Sequence, residues 1–267
     1  MKKSIIIGID LSFNSTGISI SEFNDTFATK IEFHRLIFDD QSTIKQYIPK
    51  PIYNVNQYTY KLPTNISVKD IIISSDDYNS LLQAETTIKC MICIKRLMDI
   101  IINKIQRISK TCTKFDLFVN IEGFLMPQVS GEQQFKSLSG LIMLQGMLRA
   151  ELIKLKLSEK SNIDIFKLFI TTPKELKLWF SGNGNADKQM MLDSFLDNWD
   201  GRKLLPDTSS LAKINDVIDG FAWMMICFGK IRGVVELKKK KLKKPKVKKF
   251  KNSEFAKSNI LLDSLPG

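Results

Sequence analysis

Two short apolar runs, each closing on a carboxylate, constrain this chain more than anything else in it. "KSIIIGID" ends in Asp10, and "FDLFVNIEG" carries Glu122 at its close. The first is short, apolar and β-rich, and the second is continuous in apolar residues, as a strand buried on both faces is. Between them, from Thr86 to Lys110, Met91, Ile94, Met98, Ile101, Ile105 and Ile108 recur at three and four residues. That spacing predicts a long amphipathic helix packed on a sheet. Carboxylates at the carboxyl ends of strands lie where α/β sheets place their ligands.

The remaining elements fall around this unit. After Asp10 the turn-like "LSFNSTG" leads into the alternating "ISISEF", which predicts a hairpin, and a third strand is expected over Thr26 to Phe33. From His34 to about Glu85 the pattern weakens and Pro49, Pro51 and Pro63 punctuate it. All five tyrosines, at 47, 53, 58, 60 and 78, lie in this stretch. It is expected to be an insertion with its own small hydrophobic cluster, the alternative being tyrosines that stack on bases. His34 is the chain's single histidine; it supports neither a metal cluster nor a catalytic triad and is assigned no function. A helix over Phe135 to Leu157, a strand at "IDIFKLFIT", a helix from Asp187 to Trp199 and a final helix beginning near Asp216 complete the order. The fold class is α/β: a mixed five-stranded sheet with helices on both faces.

Charge is unevenly placed. Of the net +12, the stretch from Glu236 to Lys251 carries ten lysines and one glutamate, hence +9, leaving +3 for everything else. The chain is therefore divided into a folded region, 1–235, and a basic, flexible tail, 236–267, with Pro245 opposing a continuous helix. Such a run attracts a phosphate backbone through counterion release, which makes nucleic acid the leading partner class; Lys239, Lys240 and Lys244 are the candidate phosphate contacts. An anionic surface or simple solubility is the alternative. No apolar run approaches the roughly 18 residues of a membrane span, and "MKKSIIIGID" meets a glycine and an aspartate too early for a signal-peptide core. The expectation is a soluble, intracellular protein with no membrane partner. Cys90, Cys93, Cys112 and Cys227 complete no zinc set and are expected to be reduced core thiols.

The last helix opens as "NDVIDGFAWMMI", with Asp216 and Asp219 one turn apart on the same face. Acids at a helix N-terminus gain about 0.3 to 1 kcal/mol from the macrodipole, so capping alone would account for them. Joined to Asp10 and Glu122 they make a possible cluster of four carboxylates, which repel and raise one another's pKa unless a cation holds them together. Hard oxygen donors suit Mg²⁺ or Mn²⁺, and two such ions about 3.5 to 4 Å apart can drive phosphodiester hydrolysis.

"GIDLSFNSTG" resembles the first motif of RuvC-type Holliday junction resolvases of the ribonuclease H-like superfamily, and "NIEGF" resembles their second, a strand-terminal glutamate. "TPKELKLWFSGNGNADKQMM" is similar to a proline, lysine and Gly-x-Gly segment of that family, through Pro173, Lys177, Gly182, Gly184, Ala186 and Lys188. "NDVIDGFA" resembles its closing acidic helix. The four stand in family order from residue 1 to about 230. The resemblance implies a ribonuclease H-like fold and an Mg²⁺-dependent endonuclease, with Mn²⁺ able to substitute, that resolves four-way junctions and other branched DNA as a homodimer. It implies that Asp10 bridges two ions, that Glu122 holds one of them, and that Asp216 and Asp219 complete the shells. Lys188 is expected to neutralise a phosphate or the transition state, its alternative being a surface lysine, and Lys177 to contact DNA. Phe124, with Leu125 and Met126, is expected either to wedge into an opened junction or to pack on the next helix. Gly182 and Gly184 serve a tight turn, and no nucleotide cofactor is expected because the Gly-Lys-Ser/Thr ending of a phosphate loop is absent. Gly140 and Gly146 mark their helix as the expected dimer face.

The chain departs from the family pattern in Leu11-Ser12 where Pro-Gly is usual, in Gly220 where alanine is usual, in the insertion at 34–85 and in the tail. Lysine-, isoleucine- and asparagine-rich usage points to an AT-rich genome such as that of a virus or phage. A less selective flap or branched-DNA nuclease, a ribonuclease H activity and a catalytically silent DNA-binding module are the alternatives. An actin-like ATPase, whose first phosphate loop "GIDLSFNSTG" also resembles, lacks its second phosphate hairpin here.

Overall fold

The N-terminal run forms β1 (Lys3–Asp10), buried on both faces: Ile5, Ile7 and Ile9 enter one core and Ile6 the other. In the computed structural model, which describes residues 3–24, 27–38, 54–61, 78–123, 132–158, 162–199, 201–205 and 215–234, β1 pairs antiparallel with β2 (Ser15–Asn24), Asp10 lying opposite Gly17. β2 continues antiparallel into β3 (Phe27–Phe38). On its other side β1 pairs parallel with β5 (Phe115–Glu122), and β5 pairs parallel with β6 (Ile163–Thr171). With β4 (Val55–Tyr60) at the far edge, the order is β4-β3-β2-β1-β5-β6.

The sheet is thus the expected mixed α/β sheet with one strand more than the five predicted. β3 runs on to Phe38, past the predicted end at Phe33, and β4 pairs parallel with that extension from Phe33↔Val55 to Phe38↔Tyr60. Its six residues, VNQYTY, leave most side chains outside the core, so no apolar alternation announces a strand. β3's open edge supplies what the local sequence lacks. Tyr60 is buried in the main core and its hydroxyl donates to the Phe13 carbonyl at 2.6 Å. The described part of the insertion therefore extends the main sheet and makes no cluster of its own.

Two helical layers close the sheet. Helices α1 (Tyr78–Ser109) and α2 (Glu132–Leu157) cover the face of Ile5, Ile7, Ile18 and Ile20 through Cys90, Cys93, Leu97, Leu144 and Leu148. α1 is also pinned by Lys104, whose buried ammonium reaches Glu22 at 2.5 Å and Glu32 at 2.9 Å. His34 lies beside Glu32, and together with Lys104 it holds that carboxyl well below the usual range. Gly140 is spent inside this layer: a Cβ there would stand 2.8 Å from the Phe13 ring, so it does not mark an outer face, whereas around Gly146 there is open space.

The opposite face is covered by α3 (Pro173–Ser181), α4 (Lys188–Asn198), the short α5 (Gly201–Leu204) and α6 (Asn215–Ile231). α3 is an element beyond those expected, although Thr172-Pro173-x-Glu175 spells it out: Thr172 caps the helix by accepting from the Glu175 N–H, and Pro173 fits the first turn. Gly182 ends it in the left-handed region at φ 77°, the turn expected of it. The four cysteines are free thiols; burial pushes Cys90 up to about 12 and Cys93 up to about 11. Among the described residues no helix is long and apolar enough to cross a membrane. The lysine tail with Lys239, Lys240 and Lys244, and the tip from Phe124 to Met126, lie outside the described residues.

Candidate metal centre

Side chains alternate between faces along a strand, so Ile9 on the α1 side turns Asp10 to the α6 side. The same parity puts Phe118, Asn120 and Glu122 of β5 there. Because Ile9 pairs with Ile121 in neighbouring parallel strands, Asp10 and Glu122 end adjacent strands about 4.8 Å apart. α6 descends onto this edge. Eleven of its residues are buried, as a helix apolar all round must be, and its approach is set by glycines: a Cβ on Gly17 would fall 1.8 Å from the Asp216 carbonyl oxygen, and one on Gly220 would fall 2.9 Å from Gly17 backbone. Gly220 is therefore more than a small residue standing in for another. Its missing methyl lets the first turn of α6 lie directly on β2, next to Asp10.

Asp10 and Asp219 feel the neighbouring acids. Asp10 has its pKa raised well above the ordinary value, first by burial and then by Asp219, Glu122 and Asp216 in that order, while the Trp223 indole opposes the rise. Burial raises Glu122 against the pull of Lys177. Asp219 is pushed up to about 7 by burial and by Asp216, with Lys177 and Lys188 acting against it. Lys177, predicted as a DNA contact, thus sits on α3 beside two of the acids. Lys188 opens α4 right after its cap, Asp187, which accepts from the Met190 N–H at 2.8 Å.

The groups that hold this arrangement are not apparent in the sequence. Arg35, 1% exposed, donates from Nε to Asp216 Oδ2 at 2.8 Å and to Ser15 Oγ at 3.0 Å, and the Ser15 hydroxyl donates to the same carboxylate oxygen. Asn120 donates to the Trp223 carbonyl at 2.9 Å and accepts from Thr171 at 2.8 Å; Thr171 accepts in turn from the buried Lys230. This chain of bonds ties β5 and β6 to α6, the helix that carries Asp219, close to the end of β5 where Glu122 stands. The signal for Ser15 lies within the Asn-Ser-Thr-Gly stretch; for Arg35 there is only its even spacing from Phe33 and Ile31, which face the same core.

Among the described residues no three His, Cys, Asp or Glu side chains close on one point as a bound ion would require. The donors are nevertheless of the right kind. Four carboxylates offer hard oxygens suited to Mg²⁺ or Mn²⁺, and after burial it is neighbouring acids that raise Asp10 and Asp219, a repulsion that a cation would relieve.

No protein-family model matches the chain, and no curated protein does. Solved structures of Thermus thermophilus RuvC are similar to it. One is 11% identical with a TM-score of 0.40, over 86% of this chain and 96% of that one. Another, of the same protein in complex with Holliday junction substrate, is 12% identical with a TM-score of 0.35, over 85% and 96%.

Proposed function

We propose that the chain is a divalent-ion-dependent endonuclease acting on branched DNA, four-way junctions foremost, with residues 1–235 as the nuclease region and 236–267 as a phosphate-binding tail. One observation carries the reading: Asp10, Glu122, Asp216 and Asp219 come from two strand ends and one helix turn to the same edge of the sheet, with Lys177 and Lys188 beside them. Asp10, Glu122, Asp216 and Asp219 would hold Mg²⁺ or Mn²⁺. When bound, such ions supply a lowered pKa to attacking water and charge stabilisation at the leaving oxygen. The chain's own residues orient and neutralise. Lys188, exposed at the head of α4, meets the phosphate backbone from outside, and Lys177 balances the acids when the substrate arrives. The acids are half-buried at this sheet edge, open enough for a phosphate and water to approach yet screened enough to strengthen the charge interactions there.

A cleavage assay in Mg²⁺ across four-way junctions, flaps, linear duplex and RNA–DNA hybrid tests this. The wild type should cut the junction best. Asp10→Asn, which keeps the shape and removes one charge, should retain fold and junction binding but lose cutting. Cleavage by Asp10→Asn at the wild-type rate would sink the assignment, equal cutting of linear duplex would remove the structure selectivity, and binding without cutting by the wild type would leave a silent DNA-binding module.

A further inference from the structure

Arg35 is the unexpected charge in this cluster. Asp10, Gly17 and Arg35 stand opposite one another across β1, β2 and β3, and because Gly17 has no side chain, the guanidinium reaches across it to the underside of α6. There Asp216 Oδ2 receives two donors, Arg35 Nε at 2.8 Å and the Ser15 hydroxyl. A cation this deeply buried, with a side chain 1% exposed, acts on its neighbours far more strongly than an exposed lysine does.

From this geometry we infer that Arg35 is a positioning residue that serves as a built-in cation: with Ser15 it occupies one oxygen of Asp216, so that the cluster takes one divalent ion tightly, on Asp10, Glu122 and Asp219, and a second only weakly. The inference rests on reading the acids as an ion site and departs from the pair of equivalent ions that the family resemblance implies. Four ionised carboxylates bring four negative charges; Arg35 cancels one. A first divalent ion then leaves one negative charge, and a second leaves an excess positive charge in a buried setting with Lys177 and Lys188 alongside. Ser15 and Arg35 also keep Asp216 turned toward β3.

Ion binding can be counted without any activity. The full chain, stripped of metal and free of DNA, is titrated with Mn²⁺ while free ion is followed by electron paramagnetic resonance, and with Mg²⁺ by calorimetry. The wild type should bind one ion per chain at least about ten-fold more tightly than a second. Arg35→Met should tighten the second site by about ten-fold or more and leave the first in place, and Arg35→Lys, which keeps the charge, should restore the wild-type ratio. Should Arg35→Met lose its fold by circular dichroism, the acids decide: Asp216→Asn should weaken the first ion by less than about three-fold, against about a hundred-fold for Asp10→Asn. Two equally tight ions in the wild type, an unchanged ratio in folded Arg35→Met, or an Asp216→Asn loss equal to that of Asp10→Asn would each overturn the inference. If equal ions accompany junction cleavage, the nuclease reading stands and only this inference falls; if the wild type binds no ion at all, both fall.

Discussion

Asp219→Asn should stabilise the ion-free protein, and the size of the gain follows from where Asp219 sits. Its carboxyl is pushed from the ordinary 3.8 up to about 7, by burial first and by Asp216 next. Below about pH 4 the group is protonated in folded and unfolded chains alike and contributes nothing to a difference. Between about pH 4 and 7 the unfolded chain ionises while the folded one does not, so stability falls as pH rises; above about 7 the whole penalty is present. A displacement of about three pH units corresponds to about 4 kcal/mol. Asparagine keeps the shape and removes the charge, so it should recover up to that amount at pH 8 and little at pH 4. For a folded region of this size that is a rise in Tm of roughly 10 °C at pH 8. The assay is thermal unfolding in chelator at pH 4, 6 and 8, with and without Mg²⁺. Added Mg²⁺ should raise the wild-type Tm at pH 8 more than that of Asp219→Asn, because the ion and the substitution relieve the same repulsion. An Asp219→Asn Tm at or below wild type at pH 8, or a difference that does not grow between pH 4 and 8, would refute the electrostatic account.

Three further outcomes are expected. Gly17→Ala sets a methyl 1.8 Å from the Asp216 carbonyl, a backbone atom that cannot rotate away, so α6 must lift; unfolding should show a loss of about 3 kcal/mol together with lost cleavage, and an unchanged Tm would mean the helix does not lie on β2 as described. Deleting residues 236–267 should weaken binding to all DNA shapes alike and flatten the slope of log K against log salt by about 0.9 for each duplex phosphate that the tail neutralises, with cleavage surviving at saturating enzyme; selective loss of junction binding would mean that the tail reads structure. A two-fold symmetric junction calls for a C2 dimer, and with Gly140 taken up against Phe13 the exposed row Ile142, Gly146 and Ile153 on α2 is the remaining face. Sedimentation should show a dimer at micromolar concentration that the Ile142→Lys, Ile153→Lys double variant dissociates; a wild-type monomer on and off junction DNA would count against it.

Some of this architecture is written locally. Asp10 and Glu122 are visible because each closes an apolar run, and Asp216 and Asp219 because three-residue spacing puts them on one helix face. Period and punctuation are properties of neighbouring residues, so strands β1, β2, β5 and β6 and the helices α1, α2, α4 and α6 are legible without a partner in view. β4 is not, since VNQYTY has no pattern of its own and becomes a strand only against β3's open edge. Arg35 is hidden for a different reason: along the chain a buried arginine looks like any surface charge, and its partner lies 181 residues away. What brings them together is the register of three strands that sets Asp10, Gly17 and Arg35 in one row, and a helix that can approach that row because Gly17 and Gly220 offer no side chain to stop it. The acids are thus determined by sequence, whereas their spacing, their shared charge and the cation that holds one of them follow from long-range pairing that only the folded sheet decides.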